Sequence, residues 1–515
     1  MGRGLASTGS PKSGNSATPE TPPTPQGEKH VVRDLRRTYD RVRASPKAST
    51  EFSVDRSGLL GGGEEFESDL RLLENSKTKE KLSDLGRDLL SYIKLRGPIT
   101  VHDYMAQASN HAVHGYYQHT GEKIGKGGDF VTAPEISQLF GEMVGIWCLS
   151  TWKSLGEPRE LNLIELGPGK GTLMKDILRV ASKFPAFKSA LSIHLVELSE
   201  TMRALQREAL ACSKATAGDR LDDLSDPSKE KAAAVVHTNT QGFRISWHHM
   251  LQQVPQKDGV PTLVVGQEFL DAFPVHQFVY TKNGWREKLV DIDTTEASPY
   301  FFRQVLSPSP TPAVRALMMK GVQTPRFDPS GQNASVAGAT TLPPSDAVDK
   351  RGHIPEELKE NDGVEICPLA LATCEDIAKR IVKNRGAALF IDYGENFTQD
   401  DSLRGFLKHK QVNILSEPGL VDITADVDFL ACGKSARRCG ATVLPMIGQG
   451  EFLQRMGIVN RVEKLIEAET TTEAQAENIV ACLRSLIDDK EMGKRFKVLG
   501  FTDPSLPPLV GFPQS

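Results

Sequence analysis

The residues of this chain best suited to chemistry are a run of glycines and a few well-placed carboxylates. Gly167-Pro168-Gly169-Lys170-Gly171 follows the apolar run 161–166, which contains one acid, Glu165. Apolar residues at helical spacing continue from Leu173 to Val180. Strand, glycine turn and helix form the opening of a doubly wound α/β unit. Glycine tolerates positive φ and carries no Cβ, so a ligand can lie against bare backbone there. N–H groups at the start of the next helix can face that ligand. A dinucleotide fingerprint needs G-x-G-x-x-G, and here the third glycine comes one residue early. A P-loop needs Ser or Thr after its lysine, and Lys170 is followed by Gly171.

The pattern E-x-G-x-G-x-G over Glu165 to Gly171 resembles that of S-adenosylmethionine methyltransferases. From these residues alone a plain tight turn stays open as an alternative. Glu197 narrows the choice. It ends a second apolar run, 191–198, and an acid there can accept both hydroxyls of a ribose. It lies 26 residues past Gly171, close to the usual distance. Ligands in such folds sit outside the carboxyl ends of the strands. Strand four, starting at Thr262, runs into Gln267-Glu268-Phe269-Leu270-Asp271, which places Glu268 and Asp271 where a reacting group would be held. Asp271 as a helix or turn cap, with Glu268 paired to a surface cation, is the competing reading. Strand five, 387–391, ends in Asp392.

These groups need a scaffold. The 515 residues are 39% hydrophobic and 25% charged, with a net charge of −4. This balance suits a soluble globular protein with polar additions and gives no basic field for nucleic acid. No apolar run approaches the roughly 18–20 residues of a membrane span. The seven cysteines include no C-x-x-C, which reads as a reduced compartment rather than a disulfide framework, and no metal site is expected. Residues 1–75 are expected to be a disordered segment. The first 19 contain Arg3 and Lys12 but no acid, which a transit peptide and an unstructured tail with no address fit equally. Residues 76–150 read as a helical extension, with helices over 82–95, 101–108 and 137–149. The stretch 127–137 reads as a shaped loop whose part up to Pro134 closes over the site. Residues 151–273 read as the first part of the core, with strand three at 243–250 and a loop insertion at 211–234. Residues 274–365 read as an insert. It holds a β-hairpin around Asn283-Gly284 and a long mobile stretch from 307 to 349. Residues 366–515 read as the second part of the core, with helices over 366–382, 458–466 and 476–487, the last of the chain, and a strand over 441–447. Asp422, Asp426 and Asp428 lack the spacing of a calcium loop, and Thr424 is expected to cap a helix instead.

Taken together, GPIT, HGYY, GDFVTAPEIS, ELGPGKGTLMKDILR, IHLVELS, QEFLDAFPVHQF, AALFIDYGE, GLVDITADVDF and QGEFLQRMGI resemble, in order, the MidA family. These are the mitochondrial complex I assembly methyltransferases and their bacterial relatives. The resemblance runs from about residue 88 to about 460. Gln267 departs from it, standing where Asn or His is expected. The resemblance implies a class I methyltransferase fold, Rossmann-like, with an insertion between strands four and five. It implies S-adenosyl-L-methionine as methyl donor and a mitochondrial, matrix location. The implied acceptor is an arginine of a complex I core subunit, converted to symmetric dimethylarginine. Gly167, Pro168, Gly169 and Gly171 would then carry the amino-acid part of the donor. Glu165 would hold its ammonium through a water, Glu197 would take the ribose, and Gln267 would lie alongside. Glu268 is the first candidate to hold the guanidinium, with Asp271 and Asp392 second. Two other classes remain: a methyltransferase acting on RNA or a small molecule, and an assembly factor that binds the donor without using it.

Overall fold

The structure is a computed structural model. It describes residues 79–118, 131–213, 236–295, 298–318, 359–397 and 399–513. The expectations for 1–75 and 319–349, and nearly all of those for 211–234, fall outside these residues.

The central sheet is built on β1 (Leu161–Leu166). All six of its residues are buried, as expected of a parallel strand covered on both faces. It pairs in parallel with β2 (Leu191–Val196) on one side and with β4 (Thr262–Gln267) on the other. Beyond β2 lies β3 (Arg244–His248), and beyond β4 lies β5 (Gly386–Glu395). The order 3-2-1-4-5 reverses between β1 and β4, which opens a crevice at their carboxyl ends. Each of these five strands coincides, within a few residues, with a run expected from the sequence.

Side chains alternate between two cores. Leu161, Leu163 and Leu195 face α3 (Gln138–Ser154) and α4 (Thr172–Ala181). Ile164, Leu166 and Val264 face α6 (Pro368–Asn384) and α7 (Phe429–Arg438). Between these, α5 (Glu200–Ala209) follows β2, capped by Ser199.

Several expectations need correction. Ala476–Ile487 does not close the chain. A helix over Glu473–Ile487 is followed by a helical turn and then by β6 (Phe496–Thr502). This strand runs antiparallel to β5, from Ala387↔Thr502 to Tyr393↔Phe496. All seven of its residues are buried, so it lacks the alternation that marks a half-exposed strand. The strand expected over 441–447 is two short pieces, Thr442–Val443 and Ile447–Gly448, both paired with β6. Thr424 does not cap a helix. It lies in the strand Asp422–Thr424, and Asp428 caps α7 by accepting from the Ala431 N–H. Residues 133–136, expected in a loop, form one helical turn that tolerates Pro134 because a first-turn N–H has no helical partner.

The hairpin His276–Thr281/Gly284–Ile292 turns at Gly284, φ +82°. It belongs to a second sheet with Ile99–Thr100, Phe302–Leu306 and Gly363–Ile366. The last of these ends at Ile366, the first residue of the run expected to be helical, and the helix itself starts at Pro368. The first two helices, α1 (Asp84–Arg96) and α2 (Val101–Asn110), pack on this inserted sheet. Pairing of Ile99 with Val290 ties them there. The expected helical extension is therefore divided, with α1 and α2 on the insert and α3 on the central sheet.

Candidate active site

The glycine turn joins β1 to α4. Gly167, Gly169 and Gly171 have φ of +59°, +52° and +84°, a region that L side chains avoid. The Gly167 N–H donates to Val196 O at 3.0 Å, and the Gly171 N–H to Pro168 O at 2.7 Å. A Cβ at Gly167 would lie 2.7 Å from the Phe269 ring. The turn therefore needs glycine for both its conformation and its clearance.

A cavity of about 610 Å³ opens over this turn. Among the expected residues, Glu165, Gly167, Pro168, Gly169, Glu197, Gln267 and Glu268 line it. Gly171, Asp271 and Asp392 do not line it. Gly171 forms the N-cap of α4.

Glu165 is 2% exposed, and its Oε2 has no hydrogen-bond partner among the described residues. Burial pushes this carboxyl up to about 8. Such a group is matched to an incoming cation or N–H donor. Glu197 lies just past β2, its N–H donating to His248 O at 2.9 Å. The Ser199 N–H donates to Glu197 Oε1 at 2.9 Å. Burial raises this carboxyl, and its hydrogen bonds oppose the rise.

Glu268 follows β4 in left-handed backbone, φ +47°. Its N–H donates to Ile391 O at 2.9 Å, which fixes the turn to β5. The carboxylate accepts from Gln267 Nε2 and, at 3.4 Å, from the Ala133 N–H. Burial first, then the Asp271 carboxylate, pushes it up to about 8. Asp392 sits behind it, 1% exposed. Its Oδ2 accepts from the N–H groups of Phe269, Leu270 and Asp271 at 3.1, 3.0 and 3.3 Å. Its Oδ1 accepts from the Tyr393 N–H at 2.9 Å. Asp392 thus holds the turn that presents Glu268. Burial and the carboxylates of Asp271 and Glu268 raise it. Asp271 accepts from the Tyr393 hydroxyl and is pushed up to about 6 by burial. Both carboxylates position the turn from behind the cavity wall.

Thr132 and Pro134, in the loop expected to close over the site, border the cavity. Sequence reasoning missed other lining residues. Tyr117 and Glu135 also border the cavity, and the Glu135 carboxylate accepts from the Thr172 hydroxyl. Leu198 and Met250, 60% and 54% exposed, give it an apolar border past β2 and β3. Exposed apolar residues at two strand ends were the available signal. Among the described residues no cluster of His, Cys, Asp or Glu is arranged to hold a metal. No described helix is long and apolar enough to cross a membrane.

A doubly wound sheet with a reversed sixth strand, a three-glycine turn after β1 and an acid after β2 defines the class I methyltransferase fold. A family model described as S-adenosyl-L-methionine-dependent methyltransferase matches residues 143–447. The chain belongs to that family. It is similar to the mitochondrial protein arginine methyltransferase NDUFAF7 of Xenopus tropicalis, 35% identical over 82% of this chain and 88% of the relative. The human protein of that name is 33% identical over 82% and 84%. Among solved structures, a methyltransferase-like protein of Burkholderia thailandensis bound to S-adenosyl-homocysteine shares the fold. Its TM-score is 0.59, at 23% identity over 88% of this chain and 97% of that one.

Proposed function

We propose that this chain methylates an arginine of a protein acceptor in the mitochondrial matrix, a complex I core subunit, giving symmetric dimethylarginine. One observation carries the acceptor assignment. Glu268 is a carboxylate at the cavity wall with no cation among its described partners. A guanidinium is cationic at any working pH and binds a carboxylate by a planar, two-point pair. The relatives named as protein arginine methyltransferases support the same acceptor, and their names support a mitochondrial protein. The complex I subunit and the symmetric product rest on the resemblance to the MidA family.

The residues fit S-adenosylmethionine. The unpartnered Glu165 oxygen, the Cβ-free turn and Glu197 lie around one cavity of adequate size. When bound, that cofactor supplies a methyl group on a positively charged sulfur, open to in-line displacement. The protein's contribution is then mainly positioning. Glu165 would neutralise the ammonium, and the turn would take the amino-acid part. Glu197 would receive the ribose. Glu268 would hold the guanidinium and localise its charge, leaving one nitrogen free to attack. As the N–C bond forms and the S–C bond breaks, that nitrogen must lose a proton. Glu268, paired with that guanidinium, is placed within reach to accept it.

The test is transfer of radiolabelled methyl to mitochondrial extract by wild type, Glu268→Gln and Gly169→Val. Glu268→Gln is expected to bind S-adenosyl-homocysteine normally and to lose transfer. Gly169→Val is expected to lose binding, because a branched residue cannot hold φ +52°. Full transfer by both variants would refute these assignments.

A further inference from the structure

Gln206 on α5 is wholly buried, yet its carboxamide reaches three separate elements. Its Oε1 accepts from Trp247 Nε1 at 2.8 Å. Its Nε2 donates to Gly169 O at 2.7 Å and to Glu197 Oε2 at 3.1 Å. An indole N–H can only donate, so Trp247 decides which end of the amide faces it. The NH₂ end is thereby turned toward the glycine turn and the carboxylate. The Ser199 N–H holds the other Glu197 oxygen at 2.9 Å. A carboxylate pinned at both oxygens keeps one orientation.

The charged and titratable neighbours act elsewhere. Arg203 donates to the main-chain oxygen of Glu197 from two nitrogens, at 2.8 and 2.6 Å. Glu200 and His249 face Arg203. Arg207 lies over the Trp247 ring, and Tyr117 adds only a through-space interaction with Glu197.

We propose that Gln206, oriented by Trp247, is the positioning residue that locks the glycine turn to Glu197 and aims that carboxylate at two vicinal hydroxyls of a nucleoside. The proposal rests on reading the cavity as a nucleoside-cofactor site. It adds that the two ends of that site form one hydrogen-bonded unit through a residue expected to touch no ligand.

The test is calorimetry on the full chain with S-adenosyl-homocysteine and its 2′,3′-dideoxy counterpart. Wild type is expected to prefer the hydroxylated ligand by at least about tenfold, the worth of a hydrogen bond to a charged group. Gln206→Met is expected to lose about tenfold more affinity for S-adenosyl-homocysteine than for the dideoxy compound, which loses only what the loosened glycine turn costs both ligands. A residue that only fills space would weaken both equally, and that result overturns the proposal. Gln206→Glu sets a second carboxylate against Glu197. Its affinity is expected to be poor at pH 8 and to recover toward pH 6, when one proton is shared. A flat profile counts against the mechanism. Should Gln206→Met fail to fold, Trp247→Phe carries the test. It frees the amide to rotate and is expected to lose part of the hydroxyl preference, and unchanged preference refutes the proposal. Wild type that binds neither ligand overturns the reading of the cavity itself, and the proposal with it.

Discussion

Replacing Glu165 with Gln should make the ligand-free protein more stable while weakening its hold on the cofactor. The carboxyl is 2% exposed, and burial raises it from 4.5 to about 8. A folded-state value above the unfolded one means that the folded chain binds more protons between the two. The contribution to stability is therefore full below the unfolded value and is lost as pH rises through about 8. At pH 8 the ionised folded protein carries a cost of about 4 kcal/mol, at about 1.4 kcal/mol per tenfold change. At pH 5 that cost falls below about 1 kcal/mol. An amide of the same shape does not ionise. Ligand-free Glu165→Gln should therefore melt several degrees above wild type at pH 8 and nearly level with it at pH 5. S-adenosyl-homocysteine should narrow or reverse the gap at pH 8, because its ammonium pairs with Glu165 alone. Thermal melts at both pH values, with and without that ligand, decide the matter. Equal melting at pH 8 would show that Glu165 is already compensated, and the argument for an awaiting cation would fall.

Gly167→Ala should cost about 1–3 kcal/mol from its positive φ and press its Cβ on the Phe269 ring. Binding of S-adenosyl-homocysteine should fall more than about tenfold, and Phe269→Leu in the same chain should restore part of it, as titration calorimetry would reveal. Transfer efficiency toward the acceptor should rise with pH through about 8, as free Glu268 ionises to receive the guanidinium. A rate profile that stays flat from pH 6 to 9 in wild type would contradict that role. Asp392→Ala leaves four N–H groups without their acceptor, and urea unfolding should report a loss of about 3 kcal/mol. An unchanged midpoint would show that water replaces the carboxylate.

The central strands and the glycine turn were legible because each leaves a local mark. β1 to β5 are short apolar runs, and the turn needs glycine at fixed spacing. Glu197 was legible from its place after β2. β6 was not, because burial on both faces erases alternation and its partners β5 and Thr442–Val443 are distant in sequence. Gln206 was invisible for another reason. A lone amide on an amphipathic helix looks like a surface residue until Trp247 and Glu197 close around it. The cap of α7 passed from Thr424 to Asp428 because the strand Arg404–Leu407 pairs with Asp422–Thr424 and makes Thr424 a strand residue. Among the carboxylates, sequence grouped Glu268, Asp271 and Asp392 together. Only the fold separates the one that faces the cavity from the two that hold its turn.

The placement of β6 bears on how the polypeptide is made. β5 lies between β4 and a strand that leaves the ribosome more than a hundred residues later. Until residues 496–502 emerge, one edge of β5 has no partner, and Asp392 sits on that edge while bracing the turn beside it. A nascent chain is thus exposed to misassembly and proteolysis until residues 496–502 are synthesised. Loss of only those residues would remove a wall of the central sheet, far in sequence from every residue that lines the cavity.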